Sequence, residues 1–399
     1  MKIAIMSDFH LGYSDDALLQ AKMALKKARE LDADAVIAAG DLFDERVPKQ
    51  EVIHAAIKLF SEHNQLMREK NSTALPVIAI AGTHERRTKG LVNAIEVLDA
   101  AGLLANCHNK HIIIEGKGEK VAVLGMAGVP EEYAKQIVQT AQFKPFTGAD
   151  FNIFIFHQTL REVIPFNDAF MCCEDLPRGF DLYVNGHIHW RRELQHGGKP
   201  VLLPGSTVIT QMKKNEMEPK GFWMFDTSTK TYEFIHISSR PFYFREIELA
   251  ECNYTDIESA VKKTVEEILV NFVPGVKPLI KIKLRGSLAK GTSSGNIETT
   301  PLEKNFENAF VYIDKEFDIA AALKEKVELI RKLREEDKTV SEFGLSLLRE
   351  KLKTAGFEKG IEELYSALTE GEVDKAVALA KRTELQAYIK DKHENNQLS

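Results

Sequence analysis

A short apolar segment that stops at polar residues opens this chain and constrains its fold. Residues Lys2–Ser7 are followed by Asp8, Phe9 and His10. The apolar run is typical of a buried parallel strand, and in open α/β sheets ligands collect at the carboxyl ends of such strands. Asp8 and His10 are two residues apart, so on an extended backbone they point the same way. Together they could bind a transition metal, although Asp-x-His also arises by chance.

The same arrangement recurs at later strand ends. The residues that follow apolar runs are Asp41 after Ala35–Ala39, Thr83 and His84 after Val77–Ala81, His157 after Phe151–Phe156, and His187 and His189 after Leu182–Asn185. Any one of them alone could be a turn residue or a hydrogen-bonded core group. A hydrophobic interior tolerates so many imidazoles and carboxylates only if something pairs them, and two metal ions would do so. Ligands of this kind without cysteine favour Mn, Fe or Zn.

Strand and helix patterns alternate over residues 1 to about 240, and the last predicted strands, from Gly221 to Leu249, follow one another with no helix between them. The additional predicted strands are Val121–Met126, Val201–Leu203, Gly221–Asp226, Tyr232–Ile237 and Tyr243–Leu249. The predicted amphipathic helices are Asp16–Leu31, Gln50–Glu69, Leu91–Ala101 and Glu131–Gln142. Alternation followed by a meander predicts an α/β fold with two sheets packed face to face and flanked by helices.

The character of the chain changes twice after residue 240. The pattern predicts a small α+β domain at 241–318, built from helix Ile257–Val270 and strands Pro278–Arg285 and Ala309–Ile313, with a flexible loop at Gly286–Pro301. Residues 319–399 read as helical, with candidate helices Ala320–Glu335, Ser341–Ala355, Gly360–Leu368 and Val373–Asp391. This helical region is either an ordinary subdomain or a groove for the helices of a partner.

Composition limits the classes of protein that the chain can be. Its 399 residues are 44% hydrophobic, and no apolar run approaches the length of a membrane span. The first apolar run is too short for a signal peptide and is interrupted by Asp8. The four cysteines form no CxxC pair, which favours a reducing cytoplasm. A net charge of −6 argues against a general nucleic-acid coat protein but leaves room for a local basic groove.

Basic residues follow several of the candidate ligand loops. They are Arg86, Arg87, Lys89, Arg191, Arg192, Lys213 and Lys214. They are either scattered solvated charges or the lining of a groove that follows a phosphate backbone. In the small domain, Lys281, Lys283 and Arg285 alternate on one face of a predicted strand and are also suited to backbone contacts.

The strand-end blocks resemble a known family. Asp-x-His, Gly-Asp, Gly-Thr-His-Glu, a lone His and Gly-His-x-His are similar, in order and spacing, to the five blocks of the calcineurin-like metallophosphoesterases. The segments MSDFHLGY, GDLFDERVP, GFDLYVNGHIHWR and LPGSTVITQ further resemble the meiotic-recombination-eleven and SbcD family of double-strand-break repair nucleases. The resemblance covers roughly residues 1–250. It implies a two-sheet αββα sandwich (residues 1–240) with a small α+β cap domain and a helical C-terminal tail.

The resemblance also implies a two-metal centre, with the metals about 3.5–4 Å apart. One metal would be held by Asp8, His10 and His189, and the other by His157, His187 and residue 83, with Asp41 bridging the two. His84 would face the scissile phosphate, stabilising its charge or protonating the leaving oxygen. Two residues depart from the family pattern. Thr83 replaces an asparagine, which we expect to loosen one metal, and Asp44 stands where many relatives have histidine, which could alter a contact to His84.

The function that the resemblance implies is a metal-dependent DNA exonuclease and single-strand endonuclease in double-strand-break repair. It would use two divalent ions, for which we expect Mn²⁺, and would act on DNA ends, single strands or hairpins. It would form a homodimer through Gln50–Glu69 and Leu91–Ala101 and bind a coiled-coil ABC-type ATPase through its tail, about Val340–Asp391. We expect a cytoplasmic, prokaryotic, nucleoid-associated protein. The alternatives are a phosphodiesterase of nucleotides or other small molecules, and a weakly active scaffold that binds DNA ends.

Overall fold

The structure is a computed structural model that describes residues 1–71, 77–87, 90–165, 170–270, 276–289, 297–317 and 360–369, together with 345, 349, 372, 375 and 377–379. The strands are β1 Lys2–Met6, β2 Ala35–Ala38, β3 Val77–Ala79, β4 Leu104–Asn106, β5 Ile112–Gly116, β6 Glu119–Met126, β7 Phe151–Phe156, β8 Leu182–Asn185, β9 Arg192–His196, β10 Lys199–Leu203, β11 Gly221–Asp226, β12 Thr231–His236, β13 Phe242–Cys252, β14 Leu279–Leu288 and β15 Phe310–Phe317. The helices are α1 Asp15–Glu30, α2 Gln50–Asn71, α3 Ala94–Ala100, α4 Glu131–Ala141, α5 Tyr254–Val270, α6 Thr300–Lys304 and α7 Ile361–Thr369.

The described residues form two six-stranded sheets, as the alternation of predicted strands and helices indicates. Their strand orders are β12-β11-β1-β2-β3-β4 and β5-β6-β7-β8-β10-β9. Strands β1, β2, β3 and β4 run parallel, and so do β6, β7, β8 and β10. The remaining strands of the two sheets, β11, β12, β5 and β9, pair antiparallel with their neighbours. The α/β fold with two large sheets and flanking helices is therefore confirmed.

Side chains on the two faces of each central strand pack into different core clusters. Ile3 and Ile5 of β1 share a core cluster with Ile155 of β7, so this cluster contains residues of both sheets. The intervening Ala4 clusters with side chains of α1 and α2. Phe156 of β7 clusters with residues of α4 on the other face of the second sheet. Each central strand is buried on both faces, which explains its continuous apolar sequence.

Some elements differ from the prediction for local physical reasons. Helix α3 was expected to begin at Leu91 but begins at Ala94, because Asn93 caps it and forms a reciprocal capping box with Glu96. Strands β4, β5 and β9 were not predicted. β5 and β9 are sheet edges, and β9 has the polar sequence RELQH. An outer strand needs no continuous apolar run, so a search for such runs misses it.

The strands β13, β14 and β15 form a separate three-stranded sheet in the described chain. The loop predicted at Gly286–Pro301 is wrong at its ends, because β14 continues to Leu288 and α6 begins at Thr300. Residues 290–296 lie outside the described residues. As predicted, β14 alternates: Ile280, Ile282 and Leu284 are buried, and the basic residues between them lie on the other face.

The chain divides into two compact units, residues 1–285 with 289–315, and residues 286–288 with 316–399. The domain boundaries at 240 and 318 stay a prediction. Of the predicted tail helices, Gly360–Leu368 corresponds to α7, while Ala320–Glu335, Ser341–Ala355 and Val373–Asp391 lie almost wholly outside the described residues. None of the helices in the described part of the chain combines the length and apolar character needed to cross a bilayer.

Candidate metal centre

The candidate ligands come from both large sheets. Asp8 and His10 follow β1, Asp41 follows β2 and Thr83 follows β3, all in the first sheet, whereas His157 follows β7 and His187 and His189 follow β8 in the second. Backbone bonds between loops fix the first set. The Asp8 amide donates to the Gly40 carbonyl at 3.0 Å, and the His10 amide donates to the Asp41 carbonyl at 3.0 Å.

The backbone at these strand ends is bent into an uncommon conformation. Asp8, His10, Asp41 and His187 have φ values of 54°, 47°, 49° and 75°, in the left-handed region that non-glycine residues rarely adopt. Such conformations cost roughly 1–3 kcal/mol each and cluster at functional sites. At Gly40, with φ of 92°, an added Cβ would lie 2.5 Å from His157 Nδ1. Only glycine fits there, as expected for a backbone that approaches the ligands closely.

Asp8, His10 and His189 form one group of donor atoms that lie within 4.8 Å of one another. The Nε2 atoms of His10 and His189 are 3.2 Å apart, and each lies 3.8–3.9 Å from Asp8 Oδ1. His10 Nδ1 is 3.0 Å from Asp44 Oδ1, and His189 Nδ1 is 2.5 Å from the Thr210 hydroxyl. With both Nδ1 atoms engaged from behind, the two Nε2 atoms turn toward the carboxylate of Asp8.

Asp41, His157 and His187 form a second group of the same dimensions. His157 Nδ1 lies 2.7 Å from the Ala39 carbonyl, which accepts its N–H, and Nε2 lies 3.0 Å from Asp41 Oδ2. The backbone amide of His187 donates to the carboxylate of Asp8 at 3.1 Å. In the described chain, His157 Nε2 and His187 Nδ1 are buried and make no hydrogen bond of good geometry.

Thr83 lies beside the carboxylate of Asp41, a member of the second group. Its hydroxyl donates to Asp41 Oδ2 at 3.2 Å, and the backbone amide of His84 donates to Asp41 Oδ1 at 2.8 Å. Thr83 is thus in the neighbourhood expected of a ligand, but it offers a hydroxyl whose proton bonds to Asp41 rather than a carbonyl oxygen.

His84 differs from the other site histidines in its exposure. Its side chain is 40% exposed, against 1% for His10 and 0% for His157. His84 Nδ1 bonds to the main-chain carbonyl of Asp44, so this contact does not depend on the Asp44 side chain. The Asp44 carboxylate instead bonds to His10. Asp44 therefore contacts His84 through its main chain and a candidate ligand, His10, through its side chain.

Burial and mutual attraction govern the charges in the cluster. Burial raises the pKa of the Asp8 carboxyl to about 6. Burial would also raise the pKa of Asp41, but the charge of His157 outweighs it and holds that pKa far below its usual value. Burial lowers the pKa of His157, and Asp41 reverses this and raises the pKa to about 10. The cluster therefore demands positive charge beside Asp41, which a proton or a metal ion can supply.

These observations fit a pair of transition-metal ions. The donors are carboxylate oxygens and imidazole nitrogens, they converge in two groups, and His187 Nδ1 is buried without a hydrogen-bond partner in the described part of the chain. Buried polar atoms of this kind are costly unless they bind something. Imidazole with carboxylate suits Mn, Fe or Zn.

Comparison with known proteins finds similarity to one family of phosphoesterases. Residues 1–191 match the calcineurin-like phosphoesterases. The chain is 28% identical over 294 residues to the DNA double-strand break repair protein Mre11 of Methanopyrus kandleri, covering 66% of this chain and 62% of that protein. It is 26% identical over 411 residues to the protein of the same name in Archaeoglobus fulgidus, covering 93% and 84%. Over residues 1–191 the chain is thus similar to the calcineurin-like phosphoesterases, and its similarity to proteins named Mre11 extends beyond those residues.

A further relative is the Mre11 protein of Sulfolobus acidocaldarius, which is 28% identical over 266 residues, covering 64% of this chain and 65% of that protein. The chain thus spans less than two thirds of the length of two of these Mre11 relatives. All five sequence blocks of the calcineurin-like family lie within the matched residues 1–191. The similarity to this family supports divalent metals at these blocks.

The predicted DNA-binding residues have varied surroundings. Arg191 and Arg192 lie 3.6 and 3.5 Å from the carboxylate of Glu218, and the Arg191 guanidinium also lies over the Phe234 ring. Lys214 lies 4.0 Å from Glu246. The remaining members are Arg86 and Arg87, which are half-buried after the His84 loop, Lys213, which precedes a short 3-10 turn, and Lys89, which lies outside the described residues. Their role stays a prediction.

The sequence analysis did not identify the buried side chains that form hydrogen bonds to the backbone of the ligand loops. Glu85 is fully buried, and its carboxylate accepts the amides of Phe43 and Gly82 at 2.7 and 2.8 Å, joining two ligand loops. Lys220 is also buried and donates to the His189 carbonyl at 2.9 Å. The glutamate that ends the Gly-Thr-His-Glu block was a usable signal for Glu85, whereas nothing in the local sequence marks Lys220.

Proposed function

We propose that this chain is a metal-dependent DNA nuclease that processes DNA ends in double-strand-break repair, with exonuclease and single-strand endonuclease activity. The observation that carries the proposal is the convergence of two donor groups, Asp8–His10–His189 and Asp41–His157–His187, from strand ends of two sheets. The Mre11 names of the relatives support DNA as the substrate.

In this proposal some side chains bind the metal ions, and His84 contacts the phosphate. The two groups hold two divalent ions, for which we propose Mn²⁺, with Asp41 shared and Thr83 completing the second. When bound, the ions supply an activated water and neutralise phosphate charge. His84 is the exposed histidine of the cluster, and the Asp44 carbonyl fixes its Nδ1. It is therefore suited to stabilise the phosphate or to protonate the leaving oxygen.

The test is Mn²⁺-dependent degradation of linear DNA by the wild type beside His84→Gln. We expect the wild type to cut and the variant to lose cutting while it keeps its Mn²⁺, which calorimetric titration measures separately. His54→Gln, which changes an exposed histidine of α2, is the matched control and should cut like the wild type. Cutting at the wild-type rate by His84→Gln would contradict the proposed role.

The hydrogen bond of Thr83 supports one alternative function. Because Thr83 offers a hydroxyl already bonded to Asp41, a weakened centre could leave a scaffold that binds DNA ends. Such a protein would bind DNA without cutting it in excess Mn²⁺. A small-molecule phosphodiesterase would instead turn over a cyclic nucleotide faster than single-stranded DNA, so the two substrates should be compared in one assay.

We propose that the DNA lies along the basic residues near the site and that the protein is a homodimer. Apolar side chains on α2 and just before and within α3 support the dimer, since Ile57, Leu66, Val92 and Val97 are 38–63% exposed. A dimer places two active sites on one duplex. Light scattering of the wild type beside Leu66→Lys tests this, and a monomeric wild type would contradict it.

We further propose that the helical tail binds a coiled-coil ABC-type ATPase and that the protein works in the prokaryotic cytoplasm at the nucleoid. The support is the family resemblance, since most of the tail lies outside the described residues. Co-purification of the full chain with the coiled-coil ATPase encoded in the same genome tests the partner. Deletion of residues 340–391 should abolish it.

A further inference from the structure

Glu131 is a partly buried carboxylate close to the candidate centre, and it lies outside the five sequence blocks that supply the ligands. It is the first residue of α4, where the helix dipole favours negative charge. Its Oε1 accepts the backbone amide of Thr159 at 3.0 Å, which ties it to the loop after His157. The same oxygen lies 3.7 Å from Nε2 of His187.

The other atoms of this pair have no hydrogen-bond partner in the described chain. Glu131 Oε2 is buried and unpartnered, and so is His187 Nδ1. An imidazole binds a metal in its neutral form, and a neutral ring carries one proton, on either Nδ1 or Nε2. A carboxylate close to Nε2 favours the proton there and leaves the lone pair on Nδ1.

We propose that Glu131 is a positioning residue for the second half of the centre: it holds His187 as the Nε2–H tautomer, with Nδ1 as the metal-binding atom. Carboxylate–histidine–metal arrangements of this kind fix ring orientation and raise the basicity of the ligand. The proposal rests on the metal centre of the proposed function but not on DNA as the substrate.

The arrangement matches the one on the first half. There, the Asp44 carboxylate lies 3.0 Å from Nδ1 of His10, so that Nε2 is the metal-facing atom. Each half of the centre would then have a histidine aligned by a carboxylate from outside the ligand set. Such alignment matters most in the second half, because the hydroxyl of Thr83 donates to Asp41 and is a poor metal ligand.

The first test reads the tautomer of His187 in metal-free protein. Two-bond ¹H–¹⁵N correlation spectra of histidine-labelled protein distinguish a protonated Nε2 from a protonated Nδ1, and the signals of His187 are those missing from His187→Gln. We expect Nε2–H in the wild type and a mixture, or Nδ1–H, in Glu131→Ala and Glu131→Gln. The glutamine variant retains an oxygen for the Thr159 amide, so it keeps the start of α4 intact.

The matched control is Glu132→Gln, which removes a carboxylate from the same helical turn but at an exposed position. Its spectrum and its Mn²⁺ binding should match the wild type. Glu131→Ala should weaken one of the two Mn²⁺ sites by about 10–100-fold in calorimetric titration with Mn²⁺ alone, and Glu131→Gln by less.

Two results would overturn the proposal: Nδ1–H in the wild type, or an unchanged tautomer and unchanged Mn²⁺ affinity in both Glu131 variants. Neither readout uses cleavage of DNA. A protein that fails to cut DNA but shows the expected tautomer and Mn²⁺ titrations would refute the nuclease assignment while leaving the role of Glu131 supported.

Discussion

The Nε2 atoms of His10 and His189 lie 3.2 Å apart, although the two residues follow strands of different sheets. Two unprotonated ring nitrogens at this distance repel each other, so the contact is stable only with a proton or a metal ion beside them. The contact also exists only when the two sheets are packed together. Metal binding and the packing of the sheets should therefore stabilise each other.

The carboxylate behind His10 gives the first prediction. Asp44→Asn removes the charge that faces His10 Nδ1 at 3.0 Å but keeps an oxygen in place. We expect one Mn²⁺ site to weaken by on the order of tenfold, because the imidazole becomes a less basic ligand. Calorimetric titration with Mn²⁺ measures this, with Glu45→Gln, an exposed neighbour, as control. Equal affinities in Asp44→Asn and wild type would show that the contact is incidental.

Thr83, where the resemblance implies an asparagine, gives the second prediction. Thr83→Asn should tighten the weaker Mn²⁺ site by on the order of tenfold, because an amide oxygen reaches the metal as a neutral ligand while a hydroxyl is a poor donor. Thr83→Ser keeps the hydroxyl and should bind Mn²⁺ like the wild type. If occupancy of both sites is the same in all three proteins, the idea of a loosely held metal is wrong.

Much of the fold followed from the sequence because central strands of a two-layer sandwich are buried on both faces. β7, β8 and β11 were predicted with their observed ends, since Phe151–Phe156, Leu182–Asn185 and Gly221–Asp226 are continuous apolar runs. Edge strands such as β9 carry no such run. Their pairing is set by tertiary contacts, which local sequence does not encode.

The residues of the candidate centre were likewise predictable only in part. The residues that face it occupy strand ends, so one rule about strand carboxyl ends found Asp41 and His157 together. The residues that contact the ligand histidines His187 and His189 do not follow this rule, because Glu131 is the first residue of a helix and Thr210 lies in a loop. Only the folded chain shows which donor each of them contacts.

The buried ion pair of Lys220 and Glu216 gives the third prediction. Lys220 Nζ donates to Glu216 Oε1 at 3.1 Å and to Ser206 Oγ at 2.9 Å, and both charged side chains are at most 4% exposed. Lys220→Met leaves a buried carboxylate uncompensated and should lower the free energy of unfolding by about 3–5 kcal/mol. Urea denaturation of the metal-free protein measures the loss.

The double variant Lys220→Met with Glu216→Gln provides the internal control. Because it removes both charges, it should recover part of the stability lost in the single variant. The recovery will be incomplete, since Glu216 also accepts the amides of Thr210 and Gln211. A double variant less stable than Lys220→Met would mean that the charge of Glu216 is satisfied by other groups.

The fourth prediction concerns pH and a histidine outside the centre. His63 of α2 is 2% exposed, and its Nδ1 accepts a hydrogen bond from Arg29 at 2.8 Å. Burial, helped by the charge of Arg29, lowers the pKa of His63 from 6.5 to about 4. Between these values the unfolded chain binds more protons at this residue than the folded chain. The free energy of unfolding therefore falls as the pH drops from 6.5 to 4, by about 3 kcal/mol for this group.

His63→Gln removes the titration, so the stability difference between the wild type and this variant should shrink by about 3 kcal/mol over that window. Urea denaturation in a chelator at several pH values measures the difference, and the chelator keeps metal binding from adding its own pH dependence. The exposed His54→Gln on the same helix should run parallel to the wild type. A difference between His63→Gln and wild type that stays constant from pH 6.5 to 4 would show that the folded protein accommodates a protonated His63. The Arg29 contact would then have to rearrange, because a protonated ring has no lone pair to accept its N–H.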